Sequence, residues 1–182
     1  MILPRPTESV AELKPLFSIS LKRLSEARIS VFTSNHYDTS FTMHTILTDY
    51  AAHAQEIRQI RDEVFLIEQQ ISREDEVDDR DELCKHALTF VDSKPVGTGR
   101  LDVEKDGKIG RVAVLQAFRR QGVGSSIMGS FEEFAKESGL PKIWFHAQLS
   151  AVPFYLNLGY VQSGPQFEEA NIVHIKMEKA LV

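Results

Sequence analysis

The chain has 182 residues, 42% hydrophobic and 26% charged, the balance of one globular domain with a core, so neither wholesale disorder nor a multi-domain machine fits. Its 21 Lys and Arg stand against 26 Asp and Glu, a net charge of −5. That excludes a protein whose main work is wrapping nucleic acid or coating an anionic membrane, since both need a positive field.

No run approaches the roughly 20 apolar residues of a spanning helix. The N-terminus lacks the charged start and apolar stretch of a secretory signal. A single cysteine, Cys84, leaves no intramolecular disulfide and no cysteine-rich metal site. The expected compartment is the cytoplasm.

Residues 1–42 are rich in Ser and Thr with only short apolar runs, and read as an extension outside the core. From Met43 the texture changes, and the folded domain is expected over 43–182. Met43 to Thr48 alternates like a strand. Asp49 is placed to cap a helix in which Tyr50, Ala54, Ile57, Ile60 and Val64 recur at spacings of three and four. An acidic loop follows over Ser72 to Glu82. Three strands come next in quick succession, at Lys85 to Val91, Val96 to Val103 and Lys108 to Leu115. The turns between them, Asp92 to Pro95 and Lys105 to Lys108, are short enough to make these strands antiparallel neighbours.

Gly122 to Ser138 carries a helical stripe of Val123, Ile127, Met128, Phe131, Phe134 and Ala135, stopped by Gly139 and Pro141. A strand over Lys142 to Ala147, a short helix over Ser150 to Leu158, and strands at Tyr160 to Gln162 and Ile172 to Met177 complete the order. An antiparallel meander feeding one parallel crossover predicts an α+β fold: a mixed, mostly antiparallel sheet covered by helices.

The chemistry concentrates where the third meander strand meets the long helix. Arg119, Gly122 and Gly124 stand as R-x-x-G-x-G. The glycines let the chain curl so that successive N–H groups point at one spot, and the helix start adds its positive end, which makes an anion site suited to a pyrophosphate. A P-loop needs a Lys after its glycines, and Ser125 and Ser126 stand there instead. A dinucleotide fingerprint needs a third glycine where Ile127 stands. Gly97 and Gly99 are followed by a hairpin rather than a helix. A coenzyme A site remains, beside the bland reading of a Gly-rich helix start with no ligand.

These pieces together resemble the GCN5-related N-acetyltransferases (GNAT), whose acyl-CoA N-acyltransferase fold has this element order. Val112 to Val114 leads into Arg119 to Gly124 at the spacing of their acetyl-CoA motif, and Phe154 to Tyr160 is similar to their F-Y-x-x-x-G-F/Y segment. Within the superfamily the chain is similar to the bacterial ElaA/YjcF-like branch. That likeness rests on Ile60 to Gln69, Glu76 and Asp78 with His86, Gly97 to Arg100, Lys108 to Val114, Ala147 and Gln148, and Phe167 to Met177. It covers roughly residues 43 to 178.

The resemblance implies an N-acetyltransferase that moves acetyl from acetyl-CoA to a primary amine, on a small molecule or a protein, by direct attack through a tetrahedral intermediate. It implies cofactor contacts from Val112, Ala113, Val114, Arg119, Arg120, Gln121, Gly122, Val123, Gly124 and Ser125. Gln148 stands where many relatives have an Asn. Pantetheine enters between the strand ending at Leu115 and the one beginning at Lys142, adding to the free strand edge; Gly110 offers a place for a bulge. Tyr155 is the expected general acid, a phenol that stays protonated at neutral pH.

For the general base Glu68 is the first candidate, with Glu76, Glu169, His174 and a water chain as alternatives. Glu76, Arg100, Glu169 and His174 are expected on the acceptor side, where Arg100 either binds a carboxylate of the acceptor or simply pairs with a surface acid, and the acidic loop either draws in a cationic amine or is simply solvated. His86, His146 and His174 lie on three strands without close spacing, so no metal site is expected. No nucleic-acid or membrane partner is expected, and a homodimer is the assembly considered. A non-catalytic acyl-CoA-binding regulatory module on the same fold is the alternative function.

Overall fold

Alternation along Met43 to Asp49 puts Met43 and Thr45 in the interior and their neighbours outward, and this strand forms one edge of a seven-stranded sheet. The structure, a computed structural model, describes residues 41–181. The extension expected over 1–42 therefore lies outside the described residues, apart from Phe41 and Thr42.

In chain order the elements are β1 (Met43–Asp49), α1 (Ala54–Arg61), a π-helix (Asp62–Glu68), α2 (Arg73–Glu76), β2 (Lys85–Val91), β3 (Lys94–Asp102) and β4 (Lys108–Val114). Then follow α3 (Val123–Glu137), β5 (Lys142–Gln148), α4 (Val152–Asn157), β6 (Val161–Glu169) and β7 (Ile172–Ala180). The sheet order is β1-β2-β3-β4-β5-β7-β6, parallel only between β4 and β5. This is the α+β architecture expected from the sequence.

Local chemistry explains most boundaries. Asp92 and Ser93 both take positive φ, 47° and 67°, the geometry of a tight hairpin turn, so β3 begins at Lys94. Asp102 accepts a hydrogen bond from the Lys105 amide and starts the turn into β4. Gly139, at φ +73°, closes α3 in a left-handed cap.

Three expectations change. Asp49 does not cap the first helix: its carboxylate pairs with Lys85 at 2.5 Å, and a short 3-10 turn over Tyr50–Ala52 precedes α1. The acidic loop contains α2, capped by Ser72, whose Oγ accepts the Asp75 amide at 3.1 Å. The strand expected over Tyr160 to Gln162 runs to Glu169.

The core lies on both faces of the sheet. Ile127, Met128 and Phe131 of α3 are fully buried in one cluster with Ala87, Leu101 and Ile143. Gly97 makes this possible, since a Cβ there would stand 2.6 Å from Val123 Cγ1. The Gly97 and Gly99 pair is thus a packing device for α3. Ile57 and Ile60 of α1 cover the opposite face over β3 and β4. Truncating a side chain such as Phe131 would cost about 3–5 kcal/mol in lost burial and cavity formation.

Strands β4 and β5 share a single rung, Lys108 with Trp144, beside which the Trp144 amide donates to the Gly107 carbonyl at 3.1 Å. Beyond that rung the strands part and leave a wedge through the sheet.

Candidate active site

The mouth of the wedge is the turn that joins β4 to α3. Arg120 takes φ +61° and Gly122 φ +88°, so the chain coils back on itself just before the helix. The first-turn amides, at Val123, Gly124 and Ser125, have no carbonyl partners within the helix and carry its positive end. Gly124 leaves them open: a Cβ there would press on the Phe154 ring at 3.1 Å. The residues present fit a pyrophosphate held by backbone.

Arg119 braces this turn. Its Nε donates to the Val114 carbonyl at 2.9 Å, and its guanidinium forms a two-point pair with Glu68, at 2.7 and 2.5 Å. Hydrogen bonding to Arg119 holds the Glu68 carboxyl below its usual range. A carboxylate so held is a poorer proton acceptor, so the structure does not favour Glu68 as the base.

Behind the mouth is a cavity of about 910 Å³ between the Gly110–Val114 and Phe145–Gln148 segments. The π-helix roofs it. Its wide turn brings Glu68 to Arg119 and Gln69 to Gln148, whose Nε2 donates to Gln69 Oε1 at 2.9 Å, so one segment spans both lips of the wedge. π-turns concentrate at functional sites.

Tyr155 lines the cavity from α4. Its ring is wedged against Phe145 at a centroid distance of 4.3 Å and Phe154 at 4.9 Å. Its hydroxyl has no hydrogen-bond partner among the described residues. Burial pushes the phenol up to about 12, so it is protonated across the physiological range.

The acidic loop is not a free negative patch. Arg61, 2% exposed, holds Glu76 and, at 2.9 Å, both carboxylate oxygens of Asp81. Arg100 holds Asp78 and, at 2.6 Å, Asp81. Arg111 donates to the carbonyls of Glu76 at 2.9 Å and Asp75 at 3.0 Å. Arg80 pairs with Asp102 at 2.8 Å and with Glu104 at 2.8 Å. Glu76, Asp78 and Asp81 therefore neutralise buried arginines while Glu74, Asp75, Asp79 and Glu82 stay exposed, and neither Glu76 nor Arg100 is free to receive an acceptor. Burial pushes the Asp78 carboxyl up, but the Arg100 bonds outweigh it and hold the group well below the carboxylate range. The bulge in β4 falls at Arg111, φ +55°, beside Gly110: Arg100 pairs with Gly110, and Thr98 pairs with Ala113.

The remaining wall of the cavity carries His146, Glu169 and His174. His146 Nδ1 donates to Glu169 Oε2 at 2.8 Å, and His146 packs edge-on against Phe167. His174 donates its Nδ1 proton to the Ile172 carbonyl at 2.8 Å. Glu169 and His174 both line the cavity. His146 was weighed only as a metal ligand. The period of β5 does place it on the face of Gln148, but its link to Glu169 depends on the register of β6, β7 and β5, which no local pattern displays.

The family model described as an acetyltransferase (GNAT) domain matches residues 47–181. The uncharacterized Bacillus subtilis protein YyaT is 39% identical over 134 residues, covering 71% of this chain and 90% of YyaT. The uncharacterized N-acetyltransferase YjcF of Bacillus subtilis is 38% identical over 122 residues, 66% of this chain and 87% of YjcF. Among solved structures, an acyl-CoA N-acyltransferase from Pseudomonas aeruginosa superposes with a TM-score of 0.68 at 27% identity, covering 76% of this chain and 99% of its own. No helix among the described residues is long and apolar enough to cross a membrane.

Proposed function

The chain belongs to the GNAT acetyltransferase family, and on that premise we propose that it transfers acetyl from acetyl-CoA to the nitrogen of an amine by direct attack. One observation carries the reading: an anion-binding turn at the mouth of a wedge whose interior holds an unpartnered, protonated Tyr155 hydroxyl.

The amides at the start of α3 receive the pyrophosphate. Pantetheine lies along the edge of β4 that β5 leaves unpaired, as an added strand. A main-chain N–H of the Val112–Val114 segment supports the thioester oxygen as it becomes an oxyanion. An ammonium acceptor first gives a proton to His146 Nε2; Glu169 fixes this tautomer by taking the Nδ1 proton in a hydrogen bond. The amine lone pair then forms the C–N bond, the tetrahedral intermediate collapses with loss of the C–S bond, Tyr155 protonates the departing thiolate, and the second proton shed by the nitrogen returns through solvent to the Tyr155 phenolate.

Thiol release from acetyl-CoA, measured across a panel of amines, tests the reading. Amine-dependent release abolished by loop substitution supports it. Tight acetyl-CoA binding with no release on any amine would instead leave a binding module.

A further inference from the structure

Lys108 stands at the closed end of the wedge, on the single rung that joins β4 to β5, and lines the same cavity as His146 and Glu169. Its ammonium rests over the Trp144 ring, 5.3 Å from the centroid, and has no carboxylate partner among the described residues. Every arginine lining this cavity does have one: Arg119 has Glu68, Arg80 has Asp102, Arg100 has Asp78, and Arg111 lies 3.5 Å from Asp78. Burial lowers the Lys108 pKa, and Lys105, Arg100 and Arg111 push it the same way, while only Glu169 opposes them. Glu169 itself is engaged with His146. The deep end of the cavity therefore presents a half-buried cation with an unmet demand for an anion.

We propose that this is an acceptor subsite, and that the amine acetylated here carries a carboxylate, received by Lys108 while its nitrogen faces His146. The inference rests on the acetyltransferase reading and names the substrate class within it. Strand geometry sets the scale. Lys108 is the register partner of Trp144, and His146 is two residues further along the same face of β5, which puts the two Cα atoms about 8 Å apart before the strands part. Side chains reaching inward from such positions bracket a molecule a few bonds long, an amino acid rather than a folded protein tail. One ammonium matches one carboxylate, and the acidic groups nearby disfavour a dianion.

The test compares amino acids with their carboxamides, α-amino acids and straight-chain ω-amino acids alike, as acceptors for thiol release from acetyl-CoA. The acid is expected to exceed its amide in kcat/KM by tenfold or more for at least one chain length. Lys108→Met should collapse that ratio toward one, and Lys108→Arg should restore part of it. Lys108→Gln serves if the Met variant loses CoA-dependent heat protection and hence its fold.

A parallel arm needs no turnover: wild type saturated with CoA should be protected further by the acid and not by the amide, and Lys108→Met should lose the difference. Equal treatment of acid and amide, or a preference for an uncharged amine or a polyamine, overturns the proposal. If no amine releases thiol, the acetyltransferase reading fails; the binding arm then still decides the subsite, acid-specific protection supporting it and its absence overturning it.

Discussion

Glu68 and Arg119, 51 residues apart in the chain, meet in a two-point ion pair that ties the end of the π-helix to the turn between β4 and α3. Both side chains are more than a third exposed, so the pair contributes at most about 1 kcal/mol to stability. Its role is to aim Arg119, whose Nε also holds the Val114 carbonyl. Glu68→Gln should leave the melting temperature nearly unchanged and keep turnover within several-fold, with the same acidic limb in the kcat pH profile. A drop of about 10²-fold with loss of that limb would return the base role to Glu68.

The phosphate turn depends on two glycines for different reasons. Gly122 occupies left-handed space at φ +88°, and a side chain there costs about 1–2 kcal/mol of backbone strain. Gly124 faces the Phe154 ring. Gly124→Val should displace that ring and abolish protection against heat by acetyl-CoA, which stabilises by mass action. Gly122→Ala should lower the melting temperature and weaken protection. Undiminished protection in both variants would remove the turn from cofactor binding.

The same glycines show why the junction of β4 and α3 was legible in the sequence. R-x-x-G-x-G between a strand and a helical stripe is a local pattern, and local patterns survive folding. So were the strands of the meander, because period-two alternation and the turn at Asp106–Gly107 act within a few residues. The fate of the acidic loop was not legible. Asp78 and Asp81 read as a solvated run or a lure for cations until the fold brings Arg61 and Arg100 to them, 19 to 22 residues away in sequence. The His146–Glu169 pair depends likewise on strand register, and the standing of Lys108 depends on the arginines of the cavity having found carboxylates.

Buried ionisable groups around that network set the acid response. His86 is 1% exposed, donates its Nε2 proton to the Asp81 carbonyl at 2.9 Å, and leaves Nδ1 without a partner. Burial lowers its pKa below 6.5, so the folded state resists protonation and the neutral ring's contribution is lost as pH falls below about 6.5. Asp78, Asp81 and Asp102 are likewise depressed, by their arginine partners outweighing burial. Their contribution is full above about pH 4 and is lost as pH falls further. Thermal melts should therefore decline in two stages, near pH 6 and below pH 4, and His86→Gln should remove the first stage alone. A single decline below pH 4 in wild type would show that His86 is hydrated in the folded protein.

The His146–Glu169 pair, 2.8 Å apart, is expected to carry the deprotonation of the acceptor. His146→Gln should lower kcat by roughly 10²-fold, the usual scale for a positioned base. Glu169→Gln keeps a hydrogen-bond acceptor and should cost less, while Glu169→Ala frees the ring and should cost more. An unchanged kcat in His146→Gln would assign deprotonation to water.

Tyr155 supplies the sharpest separation of packing from chemistry, because its ring and its hydroxyl do different work. The ring is held among Phe145, Phe154 and Tyr160, so Tyr155→Phe keeps the packing and should leave acetyl-CoA protection intact. Loss of the hydroxyl removes the proton donor for the thiolate and should lower kcat by roughly 10²-fold. This must be measured on a fast acceptor, since slow nucleophilic attack would otherwise hide the step. With the phenol pushed up to about 12, wild-type activity should show no alkaline decline from Tyr155 below about pH 11. Tyr155→Ala, which empties the aromatic cluster, should lose stability by about 3–5 kcal/mol as well as activity. Normal kcat in Tyr155→Phe, with affinity lost only in Tyr155→Ala, would mean that Tyr155 packs beneath the cofactor and that water protonates the thiolate.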